Sequence, residues 1–132
     1  MKLVSSGVVF FVLLFVAMQA QAEEIKRYDE VTGTCRLLSD GPLAWDSLPW
    51  GEGGQQFKNN CKGCHYQGND KGARFLWQES KGRTAWNRVF ATRYPMCAQN
   101  GSWDGLSAEQ LRKVNDFLYR WADNSDVPRV CL

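Results

Sequence analysis

The sequence predicts an all-α domain, and three observations lead to that class. The stretch LSAEQLRKVNDFLYRWA puts Leu111, Val114, Leu118 and Trp121 on one helical stripe, widened by Phe117, behind a Ser107–Gln110 capping box. The stretch RTAWNRVFATRYP sets Trp86, Val89 and Phe90 on one face at three- and four-residue spacing before Pro95. Nowhere does the chain show the alternation of a convincing strand.

Taken in order, the chain opens with a lysine, an apolar run over residues 8–17, and Ala20-Gln21-Ala22, the small-x-small form of a signal-peptidase site. Residues 1–22 are therefore expected to be a cleaved signal peptide, placing the product in the periplasm. The apolar run is well short of the roughly 20 residues that cross a bilayer, so no transmembrane anchor is expected in the mature chain. Residues 23–50, punctuated by Gly33, Gly41, Pro42 and Pro49, read as an irregular N-terminal extension. Its Trp45, Leu48 and Trp50 are expected to hold it against the domain. Residues 51–123 form the domain itself: a short helix over QQFKNNCKGCH with Phe57 inward, a glycine-bearing loop from Tyr66 to Gly82, a helix capped by Thr84 and running to about Ala91, and the capping-box helix. Residues 124–132 are an irregular tail. The net charge of +2 includes Lys2 of the signal. Acidic and basic residues are interspersed without long blocks, which gives no support to a nucleic-acid partner.

Chemistry concentrates in Cys61-Lys62-Gly63-Cys64-His65, which contains the only histidine. This is the attachment pattern of a c-type haem. A spacing of three puts both sulfurs on one face of a helical turn, where they can add to the two vinyl groups of the porphyrin, and the next residue brings an imidazole to the iron. Two other readings compete. A zinc site would recruit two of Cys35, Cys97 and Cys131, but it leaves His65 unexplained and lacks a second close ligand pair. A thioredoxin-like redox pair wants a βαβ setting, for which no strands are predicted.

With these residues in view, 51–122 resembles a small class I c-type cytochrome. The resemblance rests on GEGGQQFKNNCKGCH, RTAWNRVFATRYPM and LSAEQLRKVNDFL, standing in the family's order of haem-bearing helix, helix before a distal methionine, and C-terminal helix. It implies a cytochrome c-like fold, with about three main helices around one covalently bound haem c. It also implies that Gly53 or Gly54 and Phe57 meet Phe117 and Leu118 where the terminal helices cross. Cys61 and Cys64 would form the haem thioethers and His65 the proximal iron ligand.

Met96, the only methionine outside the signal, follows Pro95 where the family's distal ligand would stand. A thioether favours ferrous iron and raises the potential. Cys97 is the rival, as an anionic ligand or a reactive thiol. With the haem cysteines set aside, three cysteines remain, an odd number. If Cys97 bound iron, Cys35 and Cys131 would be free to pair; Cys97 could equally bond to either. Trp77, Trp86 and Tyr94 are candidates for the crevice walls, and Arg74, Arg83 and Arg93 for propionate partners. The expected function is an exported monohaem electron carrier between redox partner proteins, itself not an enzyme. The alternative is a haem subunit of a larger periplasmic redox complex, one acting on sulfur compounds.

Overall fold

Gly53 marks a crossing of two helices at backbone contact. A Cβ built there would collide with the backbone carbonyl of Lys113, so only glycine lets the two helices approach this closely. The computed structural model describes residues 23–131; the expected signal peptide lies outside them. Its helices are α1 (Gly41–Asp46), α2 (Glu52–Gln56), α3 (Arg83–Thr92), α4 (Met96–Gln99) and α5 (Ala108–Arg120). A π turn, Phe57–Cys61, continues α2, and a 3-10 turn, Gln78–Ser80, precedes α3.

Two strands stand before the helices. β1 (Lys26–Asp29) and β2 (Thr34–Leu37) pair antiparallel, Lys26 opposite Leu37 and Asp29 opposite Thr34. The all-α, cytochrome c-like expectation with an irregular N-terminal extension is thereby corrected: the structure is mixed, helices plus a two-stranded sheet. The physical reason lies in β1. Alternation is present there, but the residues turned inward are Arg27 and Asp29, so the pattern that announces a half-buried strand is inverted in polarity.

α5 is the centre of the packing. Phe57 and Phe117 sit 5.7 Å apart at the crossing with α2. Trp86, Val89 and Phe90 of α3 join Leu111, Val114, Leu118 and Ala122 in the same core. The capping box is as the sequence predicts: Ser107 Oγ accepts from Gln110 N–H, and the Gln110 side chain accepts from Ser107 N–H. Trp121 leaves the expected stripe and sits at the helix end, donating its indole N–H to the Ser47 carbonyl at 2.9 Å.

The second face of α5 is covered by the hairpin through charge. Arg27 Nε donates to Asp116 Oδ1 at 2.7 Å, and Arg36 donates to both Asp116 oxygens at 2.7–3.0 Å. Arg27 also reaches Asn87 and Asp29, and Arg36 reaches Glu109. Arg27 is 1% and Asp116 0% exposed, so the pair is desolvated and held by its hydrogen bonds. Burial alone would raise the Glu109 carboxyl, but hydrogen bonds from Arg36 and Arg112 reverse this and hold it below its usual value. Its contribution to stability is thus present above the usual carboxylate pKa and is lost as pH falls through the lower, folded value.

Trp45 and Trp50, expected to tether this segment, are 60% and 57% exposed. Beside the Arg27 and Arg36 contacts to Asp116, Arg120 ties the segment down instead, donating to the carbonyls of Leu38 and Ala44 and to Ser47 Oγ at 2.8–2.9 Å.

The tail is structural too. Asp126 accepts from the backbone N–H groups of Arg83 and Thr84 at 3.0 and 2.7 Å, so α3 is capped from 42 residues away and not by Thr84 itself. Cys35 and Cys131 form a disulfide that ties β2 to the tail. Replacing Gly53 by alanine is expected to lower stability by about 3 kcal/mol through overpacking against Lys113, read as a drop in the urea midpoint.

Candidate functional site

The π turn sets the direction of the cysteines. Lys62 N–H donates to the carbonyl of Phe57, five residues back, at 3.0 Å, which widens the helix for one turn. The chain then folds on itself: the amides of Cys64 and His65 both donate to the Cys61 carbonyl, at 3.1 and 2.9 Å. Cys61, Cys64 and His65 are thereby brought to one cavity of about 250 Å³. Its walls are mainly apolar: Phe57 from the π turn, Leu76 from the loop, Trp86, Val89 and Phe90 from α3, and Trp103 and Leu106 before α5.

His65 is oriented from behind. Its Nδ1 lies 2.6 Å from the backbone carbonyl of Arg74. A carbonyl oxygen can only accept, so Nδ1 carries a proton, and in the neutral form of the ring this leaves the lone pair on Nε2, the arrangement of a ligand-ready imidazole. The loop that supplies this carbonyl is pinned by Asn69, whose side chain donates to Ala73 O and Tyr66 O and accepts from the amides of Lys71 and Ala73. Lys62 adds a second pin, donating to Leu76 O at 2.8 Å with its ammonium 4.1 Å from the centre of the Phe75 ring and 4.6 Å from that of Trp77. Burial lowers the Lys62 pKa.

Burial in the cavity wall pushes the Cys61 thiol up to about 12, and the neighbouring Cys97 and Cys64 add to the shift. Cys61 is therefore a neutral thiol at ordinary pH. Cys97, at the start of α4, lines the same cavity. Met96, one residue earlier, is 79% exposed and is not among the lining residues. With Cys35 and Cys131 bonded to each other, Cys61, Cys64 and Cys97 are the free thiols, and all three face one space. Neither Cys35 nor Cys131 is available to complete a zinc site. Among the described residues, no group of three or more His, Cys, Asp or Glu side chains is gathered so as to hold a metal ion by itself.

Comparison with protein-family models, with curated proteins and with solved structures returns no match. What the site can do must therefore be read from its own chemistry.

Of the expected walls, Trp86 and Tyr94 line the cavity, whereas Trp77 stands exposed beside Lys62. Of the expected propionate partners, Arg74 lines it. Arg83 instead lies over the Tyr119 ring, in a cleft beside the tail, and Arg93 occupies the left-handed turn between α3 and α4 at φ 51°. Lys81 and Trp103 are lining residues that the sequence reading missed. Trp103 stacks on Phe90 at 5.1 Å, and its one signal was a tryptophan inside the polar turn NGSWDG.

The donor set fits a haem held through thioethers. It offers two thiols three residues apart, an imidazole with a free Nε2, apolar walls, and two cations, Arg74 and Lys81, with no acidic residue among the lining side chains. A porphyrin asks for this mixture: sulfur for its vinyl groups, nitrogen for iron, hydrocarbon for its faces and cations for its propionates.

Proposed function

We propose that this chain is an exported monohaem c-type cytochrome that passes one electron at a time between redox partner proteins. The observation that carries the reading is the Nδ1 hydrogen bond of His65 to Arg74 O, in a cavity that Cys61 and Cys64 also line. When bound, the haem supplies the one-electron centre. The chain does the rest. Cys61 and Cys64 hold the group covalently, the Arg74 carbonyl keeps the His65 ring in one tautomer and orientation, and Trp86, Phe90 and Trp103 limit water at the iron. Arg74 and Lys81 balance the propionates.

The periplasm is the proposed setting. The Cys35–Cys131 disulfide is what an oxidising compartment permits, and no helix among the described residues is long and apolar enough to cross a membrane. From Lys58 to Arg93 the chain bears eight basic residues against Asp70 and Glu79, so the segment framing the cavity suits a partner with an acidic face.

The test is the intact mass of the chain made in a host that matures c-type cytochromes. The expected result is the mass of the mature chain plus one haem, retained after denaturation, and a reduced spectrum of the c type. A colourless product with the mass of the bare polypeptide overturns the reading.

The exposed Trp45 and Trp50 favour a second reading, in which the carrier is a subunit of a larger redox complex and these rings are its contact surface. Sedimentation of the native extract separates the two: a free carrier travels at the size of one chain, a subunit with its complex.

A further inference from the structure

We infer that Cys97, and not Met96, supplies the second axial ligand of the iron, an assignment that rests on the haem reading above. Sequence position favours the methionine, which follows a proline after a helix. The structure separates the two neighbours. Pro95 enters α4 in an extended conformation, φ −65° and ψ 147°, and the first turn of the helix then leaves Met96 exposed and brings Cys97 to the cavity wall. Carrying Met96 into the cavity would require α4 to turn about its axis, withdrawing Cys97. That turn is held by Gln99, whose side chain donates to the carbonyls of Arg93 and Tyr94 at 3.2 and 3.0 Å.

The cysteine accounting supports the same assignment. Cys97 is the cysteine left over: Cys35 and Cys131 are joined, Cys61 and Cys64 belong to the attachment motif, and Cys97 is half-buried in the same cavity without a bonding partner. On ligation the Cys97 thiol gives its proton to water and its sulfur donates an electron pair to ferric iron; the oxidation state of the iron is unchanged. An anionic sulfur stabilises ferric over ferrous iron, so the chain would be a low-potential carrier, whereas methionine ligation would make it a high-potential one.

Ferric protein is the material for the test, with wild type, Met96→Leu and Cys97→Ser compared by electron spin resonance, near-infrared absorption and redox titration. The expected result is a low-spin thiolate signal in wild type and in Met96→Leu, lost in Cys97→Ser together with a rise in potential. A sulfur-to-iron band of the methionine type in wild type, abolished by Met96→Leu, overturns the assignment; so does a thiolate signal that survives Cys97→Ser. The wild-type spectrum decides the matter even if Cys97→Ser fails to fold. Intact mass, taken on the same samples, keeps the two proposals apart. Haem mass with a methionine-type spectrum sinks the Cys97 assignment alone, and absence of haem mass sinks both.

Discussion

Asp116→Ala is expected to cost about 3–5 kcal/mol of folding stability, because it leaves two arginines without the carboxylate that neutralises them. Arg27, 1% exposed, would keep only a 3.4 Å contact to Asp29 and a neutral bond to Asn87. Neither replaces the 2.7 Å charged bond it loses. The loss would show as a lowered midpoint in urea. A change under about 1 kcal/mol would mean that the network behaves like a solvated surface pair, and the account of the hairpin's attachment would be wrong. The consequence reaches the site by way of α3. Asn87, between Trp86 and the rest of the cavity-facing helix, donates to Tyr28 O and accepts from Arg27 and Asn115. A hairpin that detaches therefore releases the Asn87 contacts of α3, the helix whose Trp86, Val89 and Phe90 line the cavity.

The largest functional effect is expected from Cys61→Ser with Cys64→Ser. Serine keeps the size of the side chain and removes the sulfur nucleophile, so the covalent link is lost while His65 and the walls remain. The double variant is expected to run at the mass of the bare chain and to release any residual haem into acidified organic solvent, whereas wild type retains it. The single variants are expected to fall between, with Cys61→Ser the more damaging to packing, since Cys61 lies against the core and Cys64 is exposed. If the double variant keeps its haem through denaturation, attachment is not at these positions.

How far the sequence could be read depended on which physical signal each element carries. α5 announced itself through a capping box and a stripe of leucine, valine and phenylalanine, both local patterns with one structural meaning. The attachment motif was equally local. The hairpin was not legible because its inward side chains are Arg27 and Asp29, and their burial makes sense only once Asp116, some 90 residues away, is known to meet them. The cap of α3 was misassigned for a related reason: Thr84 had the chemistry of a cap, but its amide and that of Arg83 are taken by Asp126 from the tail. Met96 and Cys97 show the limit most sharply. Adjacent residues on a four-residue helix differ by 100° in direction, a distinction that composition and spacing do not resolve.

Cys35 and Cys131 are separated by 96 positions, and Cys61, Cys64 and Cys97 all lie between them. A polypeptide that emerges N-terminus first shows those three sulfurs to any oxidant before the rightful mate of Cys35 arrives. The native bridge is thus the final pairing to become possible, and any premature bond to Cys35 has to be exchanged before it can close. Oxidative refolding of the reduced chain is therefore expected to be faster with a thiol–disulfide exchange catalyst than with added oxidant alone.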